Sequence, residues 1–316
     1  MTSKKTAKSK SPQTIGLIGL GIMGSAIASN LIKARFRVTG YDVVAARRRA
    51  LARAGGTAVA SVEDAGAAAN VVITSLPSSD ALLGVSAALA RSRRPPTHVI
   101  EASTLPIEIK EVARVRLAAA GTLLLDCPIS GTGAQARTGD VIVYASGQKR
   151  DCLAVGPVLN GFSRAHYYVG PFGAGSKTKF VANLLVAVHN VAAAEALVLA
   201  MKAGLDPALT LKVIADGAGG SRILQLRGPM MVRGDYRHAT ATLAMFVKDQ
   251  SIIADFARGL GCPTPLLAAT TPVYTAAAAM GHLRDDTAAV CAVLESMANY
   301  RRHVPRRSRR APPRRS

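Results

Sequence analysis

From Thr14 to about Gly170, short apolar runs rich in β-branched residues alternate with longer Ala-rich stretches whose apolar positions recur at a helical period. The runs predict strands at Thr14–Gly19, Arg37–Asp42, Val71–Leu76, His98–Ala102, Leu123–Cys127, Val141–Ala145 and Ala165–Val169. Met23–Ala34, Val44–Ala54 and Ile107–Ala119 predict helices between them. Such alternation implies βαβ units, hence an α/β fold with a mostly parallel Rossmann-type sheet and helices on both faces. After Gly173 no strand is predicted, and Lys177–Lys202 predicts one long helix. Asp206 followed by Pro207 reads as an N-cap with proline at the first helical position. Further helices are expected over Val247–Gly259, Pro265–Ala279 and Asp286–Ala298. The expected organisation is an α/β domain over 14–172 and an all-α domain over 173–300, flanked by disordered tails at 1–13 and 301–316.

Composition narrows this picture. Apolar residues are 49% and charged residues 19%, which excludes a disordered chain. The net charge of +21 would suggest an anionic partner, so its location matters. Lys4, Lys5, Lys8 and Lys10 lie in the first tail, and eight arginines lie in residues 301–316, with no acid in either. The body retains 28 basic against 19 acidic residues, a net +9. Nucleic acid is therefore not expected as a partner of the body; a solvated tail is the simpler reading of the arginines. Cys127, Cys152, Cys262 and Cys291 are widely spaced and form no CxxC pair, which points to reduced thiols in a cytoplasmic protein and to no metal site. The basic start followed by IGLIGLGIMGSAIAS imitates an export signal, but Gly16, Gly19, Gly21 and Gly24 punctuate it as a strand entering a phosphate loop. No run approaches the roughly 18 uninterrupted apolar residues of a membrane span, and the segment 180–201 carries Asn183, His189, Asn190 and Glu195, so no membrane partner is expected.

Gly19-Leu20-Gly21-Ile22-Met23-Gly24 is a GxGxxG motif that closes a predicted strand and opens a predicted helix. Asp42 ends the next predicted strand, 18 residues beyond Gly24. These contexts together make a dinucleotide fingerprint: the glycines permit a tight turn and close backbone approach, and the helix N-terminus offers N–H groups to the pyrophosphate. Asp42 would bond the ribose hydroxyls and repel a 2′-phosphate, favouring NAD over NADP, although Arg47, Arg48 and Arg49 lie close by.

The order of motifs resembles the β-hydroxyacid dehydrogenase family, of which 3-hydroxyisobutyrate dehydrogenase is the best-known kind, over about residues 14–298. The matching segments are Gly19 to Leu31 (GLGIMGSAIASNL), Leu76-Pro77, Glu101 to Thr104 (EAST), Asp126 to Thr132 (DCPISGT), Gly173 to Asn183 (GAGSKTKFVAN) and Lys248-Asp249. The resemblance implies that Leu76, Pro77, Thr104 and Lys248 lie at the cofactor, that Ser130, Gly131 and Thr132 receive a substrate carboxylate, and that Lys179 and Asn183 form the catalytic pair. It also implies a homodimer or homotetramer. The C-terminal half looks closer to a threonate-dehydrogenase-like branch. Ala182, Thr132 and Gln135 depart from the family pattern.

The chemistry agrees. Oxidising a hydroxy acid needs a base for the hydroxyl proton while hydride leaves the same carbon. Lys179 and Asn183 are four residues apart and share a helix face, whereas Lys177 would face elsewhere. The expected activity is NAD-dependent oxidation of a small 3-hydroxy acid of the hydroxyisobutyrate or threonate type, with Lys179 as general acid/base. The alternatives are an NADPH-dependent reductase of a small aldehyde acid, of the glyoxylate or succinic semialdehyde type, and an anion-binding protein that grips nucleic acid through its Arg-rich tail. Imine reduction and phosphogluconate decarboxylation are disfavoured, the first by Lys179 and the second by the short helical part.

Overall fold

The computed structural model describes residues 12–302. They divide into two compact units: one runs to Leu185 and includes Met245–Thr264, the other comprises Val186–Ala244 and the chain from Pro265. The division into compact units falls inside the long helix, and the 245–264 segment belongs to the first unit.

The first unit follows the order β1 (Thr14–Ile18), α1 (Ile22–Lys33), β2 (Arg37–Tyr41), α2 (Ala45–Arg53), β3 (Thr57–Ala58), α3 (Val62–Ala67), β4 (Val71–Thr74), α4 (Ser79–Ala90), β5 (His98–Glu101), α5 (Ile107–Ala118) and β6 (Leu123–Asp126). It continues through β7 (Ile129–Ser130), α6 (Gly133–Arg137), β8 (Ile142–Ser146), α7 (Lys149–Ala154), α8 (Gly156–Asn160) and β9 (Ala165–Gly170) into α9 (Ala174–Lys202). The sheet order is β3-β2-β1-β4-β5-β6-β8-β7, with β9 on β8. Strands β1 to β6 pair in parallel, while β8 runs antiparallel to β6 and β7. The central strands are apolar on both sides, as a sheet covered by helices on each face requires. One core gathers Ile27, Leu31, Val158 and Phe162, and the other Val72, Leu89, Ala113 and Leu117. The predicted strands are all present; the first five end one or two residues early, β8 is shifted by one residue and β9 runs one residue further, and β1 stops at Ile18 because Gly19 turns to φ +89°. The two-residue strands β3 and β7 were not foreseen, since two residues carry no periodic signal.

In a parallel sheet the carboxyl ends of the strands share one edge, where ligands bind in open α/β folds. Here that edge collects the loop after β1, Asp42 after β2, Leu76 and Pro77 after β4, Ser103 and Thr104 after β5, and Asp126 at the end of β6.

The second unit is helical: the later part of α9, then α10 (Pro207–Asp216), α11 (Arg222–Arg233), α13 (Pro265–Ala279) and α14 (Val290–Met297), with α12 (Leu243–Gly259) lying mostly in the first unit. Asp206 caps α10 as predicted, accepting the Leu209 N–H at 2.7 Å. Helix α11 was not predicted, because Pro229 sits inside it. Asp286 is fully buried; it accepts hydrogen bonds from Thr240 N (2.8 Å), Thr240 Oγ1 (2.9 Å) and Ala288 N (3.1 Å), and pairs with Arg227 Nε at 3.2 Å. Asn190 on α9 donates to Tyr274 Oη and to the Thr287 carbonyl, both at 2.9 Å. Helix α9 is long and apolar enough to cross a bilayer, but its buried amides Asn183 and Asn190 bond within the protein, as in a core helix. Arg302, expected in the tail, instead bonds the Met231 and Val232 carbonyls at the end of α11 and pairs with Glu295. The remaining tail residues, 1–11 and 303–316, lie outside the described residues.

Replacing Arg227 by Ala leaves the Asp286 carboxylate buried without its cation. Breaking a buried pair in this way should cost about 3 kcal/mol, read as a lower urea midpoint. An unchanged midpoint would show that Asp286 is held by its hydrogen bonds alone.

Candidate active site

The phosphate loop tests whether a dinucleotide fits. A Cβ on Gly19 would lie 2.2 Å from the Ser75 carbonyl oxygen, and one on Gly24 would lie 1.9 Å from that of Gly19. Both positions are closed by backbone. A Cβ on Gly21 would meet nothing within 4 Å, so the turn leaves a cradle that glycine keeps open. Leu20 is buried beneath the loop; Ile22 and Met23 begin α1, whose N-cap, Gly21, supplies no side-chain cap. The first N–H groups of α1 are thus of the kind that suits a pyrophosphate.

Asp42 is buried, and its carboxylate braces the loop: Oδ2 accepts the Leu20 N–H at 2.7 Å and Oδ1 the Val44 N–H at 2.8 Å. Arg47 Nη1 stands 3.3 Å from Oδ2, while Arg48 bonds the Asp42 carbonyl and stacks over Tyr41. The carboxylate expected to repel a 2′-phosphate therefore already has a guanidinium beside it.

Leu76 is half-buried and its N–H donates to Ser103 Oγ at 2.8 Å, while Pro77 is exposed. The Thr104 carbonyl accepts Lys248 Nζ at 2.6 Å, and Lys248 also pairs with Asp249 at 3.1 Å. Lys248 and Thr104 are therefore brought together, and α12 is tied to the loop after β5.

Lys179 is buried on α9, which starts three residues earlier than predicted, whereas Lys177 is exposed. Burial pulls the Lys179 ammonium down to about 8; the Asp249 carboxylate opposes this and the Lys248 ammonium adds to it. Asn183, one turn on, donates Nδ2 to Asp249 Oδ2 at 3.0 Å, which sets the orientation of its amide. Burial raises the Asp249 carboxyl, against the pull of Lys248, Lys179 and the Asn183 bond. Phe180 packs edge-on against Phe256, holding this part of α9 to α12 with ring centroids 5.2 Å apart. Lys179, Asn183, Lys248 and Asp249 all belong to the first compact unit.

The carboxylate segment is partly corrected. Ser130 ends β7, partly exposed, and Gly131 is exposed at φ +144°. Thr132 does not offer free donors: its N–H (3.0 Å) and hydroxyl (3.2 Å) both approach Gln135 Oε1, as the cap of α6. The departures at Thr132 and Gln135 are thus one device, a reciprocal capping box. Asp249 had been noted only as the partner in a Lys-Asp pair. Its bond to Asn183 spans 66 residues of sequence, and no local signal announces it.

Residues 14–170 match the family model described as the NAD binding domain of 6-phosphogluconate dehydrogenase. Residues 173–294 match that described as the NAD-binding part of NADP-dependent 3-hydroxyisobutyrate dehydrogenase. The chain is 36% identical to L-threonate dehydrogenase of Cupriavidus necator over 88% of this chain and 95% of that protein. It is 30% identical to 2-(hydroxymethyl)glutarate dehydrogenase of Eubacterium barkeri over 90% of this chain and 96% of that protein. A crystal structure of 3-hydroxyisobutyrate dehydrogenase from Salmonella typhimurium superposes with a TM-score of 0.81 at 28% identity, covering 89% of this chain and 99% of that one.

The two loop glycines make opposite predictions. Gly21→Ala should leave the melting temperature unchanged and weaken binding of NADH, followed by fluorescence, because the added methyl enters only the cradle. Gly24→Ala should lower the melting temperature, because the Gly19 carbonyl must move. Equal NADH affinity in wild type and Gly21→Ala would contradict the cradle.

Proposed function

This chain belongs to the 3-hydroxyisobutyrate dehydrogenase-like family of hydroxy acid dehydrogenases, on its threonate-dehydrogenase-like branch, and from that premise we propose that it oxidises a small polar hydroxy acid of the threonate type with NAD, using Lys179 as general base. The observation that carries this reading is a buried lysine brought down to about 8, one helical turn from an amide anchored by Asp249. Ordinary lysine is charged at neutral pH and cannot accept a proton; a lysine near 8 holds a useful neutral fraction. Lys179 in that form takes the substrate hydroxyl proton as the alkoxide develops. Asn183, its amide fixed by Asp249, holds the substrate oxygen. Ser130 and the Gly131 N–H receive the carboxylate. A nicotinamide held by the phosphate loop and Asp42 would supply the acceptor for the hydride that the carbinol carbon gives up as its hydroxyl proton passes to Lys179. In the reverse direction Lys179, protonated, returns the proton to the carbonyl oxygen.

NAD is the proposed cofactor on account of Asp42, an acid just after β2, the position at which the dinucleotide fingerprint calls for an acceptor of the ribose hydroxyls. Arg47 and Arg48, both against Asp42, are the observation that favours a second reading, an NADPH-dependent reductase of a small aldehyde acid. The two readings separate on one comparison: NAD and NADP supplied in parallel to wild type and Asp42→Asn, which keeps an acceptor for the Leu20 N–H and removes the charge. The proposal expects NAD to be preferred by wild type and the preference to narrow in the variant.

Among L-threonate, 3-hydroxyisobutyrate, glycerate and tartronate, we expect at least one to reduce NAD. Lys179→Ala should lower kcat by roughly 10²–10⁴-fold, the range of general acid–base catalysis. No turnover with any of these acids, or full activity in Lys179→Ala, would overturn the proposal.

A further inference from the structure

A second buried lysine lies close to the proposed machinery in the fold but has no place in the reaction above. Lys110, in the first turn of α5, is fully buried. Its Nζ lies 2.7 Å from Glu101 Oε2, 2.8 Å from Asp126 Oδ1 and 2.7 Å from the Ser103 carbonyl oxygen. An ammonium has three protons to donate, and here three oxygens surround it. Burial alone would drive the proton off, but the Asp126 and Glu101 carboxylates more than offset that and hold the group above the ordinary lysine range. Lys110 is therefore a permanent buried cation between two strand-end carboxylates.

Each oxygen around Lys110 belongs to a segment that matters elsewhere. Glu101 Oε1 accepts the Ser103 N–H at 3.0 Å, and Ser103 Oγ accepts the Leu76 N–H. The loop after β4 and the loop after β5 are thereby fastened to one another and to Lys110. On the other side, Asp126 Oδ1 accepts Ser176 Oγ at 2.8 Å and Oδ2 accepts the Ser176 N–H at 2.7 Å. Ser176 is the third residue of α9, where helix N–H groups have no partner within the helix. Ser146 Oγ closes the arrangement, donating to the Asp126 carbonyl at 2.8 Å and accepting the Gly175 N–H at 2.9 Å. The first turn of α9 is thus anchored through a carboxylate whose own position depends on Lys110. Lys179 follows Ser176 by three residues, one turn along the same helix.

We propose that Lys110 is a positioning residue for the reaction: through Asp126 and Ser176 it fixes the start of α9, and through Ser103 it fixes the Leu76 and Thr104 loops, so that Lys179 is held buried and in register with the cofactor side of the site. The inference rests on the reading of Lys179 as the general base. The charged groups acting directly on Lys179 are Asp249 and Lys248 of α12, and Lys110 acts only by placement. If the anchor loosens, Lys179 gains water, the neutral form is less favoured, and its ionisation moves up towards that of an ordinary lysine.

The test uses two variants of the full chain. Lys110→Met combined with Glu101→Gln removes the cation and one anion together, so the net charge of the cluster is unchanged and Asp126 keeps its serine donors. Ser176→Ala removes one hydroxyl bond and leaves Lys110 paired, which keeps the question answerable should the double variant fail to fold. Two readouts are taken: steady-state oxidation of a hydroxy acid, and the pH dependence of Lys179 acylation by acetic anhydride, followed by mass spectrometry without substrate or cofactor. Both variants are expected to fold, to lose about tenfold in kcat, as for a misplaced reacting group, and to shift Lys179 labelling to a higher pH midpoint, with KM for NAD changed by less than about twofold. Unchanged labelling and unchanged kcat in Ser176→Ala would overturn the proposal. So would a loss of kcat that tracks lost thermal stability while the labelling midpoint stays in place. A wild type that turns over no hydroxy acid, yet whose Lys179 midpoint still moves in the variants, would count against the catalytic reading and leave the anchoring intact.

Discussion

Removing a lysine ammonium from water is costly, and a fold can meet that cost by pairing the charge or by letting the proton go. The first unit contains both solutions. Lys110 is enclosed by two carboxylates and a carbonyl and stays charged, whereas Lys179 has one carboxylate in its field and a competing ammonium, and falls to about 8. Two identical side chains, both buried, thus do opposite things because their partners differ. The rest of the site depends on that difference: a paired lysine can only hold loops in place, and a lysine near neutrality can move a proton.

The sheet makes the arrangement possible. Parallel strands of similar length end on one edge, so residues far apart in sequence meet there without a long loop. Glu101 and Asp126 end adjacent strands β5 and β6, which pair directly, and this is why one lysine from α5 can reach both. The phosphate loop, braced by Asp42, occupies the end of β1 on the same edge. Helix α12 adds Lys248 and Asp249 to this unit, although they lie far along the chain.

Much of this was legible in the sequence where the signal is local. The GxGxxG loop reads directly because Gly19 needs a positive φ and because Gly19 and Gly24 have no room for a side chain. Lys179 was separated from Lys177 by its spacing from Gly173 in the motif and by the helix face it shares with Asn183, and the structure buries the first and exposes the second. Long-range features were silent. In IEIKEVARVRLA nothing distinguishes Lys110 from its solvated neighbours Glu111 and Arg114, because its burial follows from where β5 and β6 end. Thr132 looked like a carboxylate donor, but its hydrogen bonds go to Gln135, a competition that motif spacing does not reveal. Arg302 was likewise grouped with the tail, because nothing in the local sequence shows that Glu295 and the α11 carbonyls lie within its reach.

The net charge that first suggests a polyanion is concentrated in terminal segments outside every motif. What remains on the body suits a site for an anionic cofactor and a carboxylate substrate. The central claim concerns a single proton acceptor. It is tested most directly by the pH dependence of kcat/KM for hydroxy acid oxidation, which reports ionisations of the free enzyme. Because the neutral amine is the active form, kcat/KM should rise with pH through a midpoint near 8, the value that burial imposes on Lys179. A profile that is flat across that range, or that falls as pH rises through it, would contradict the account.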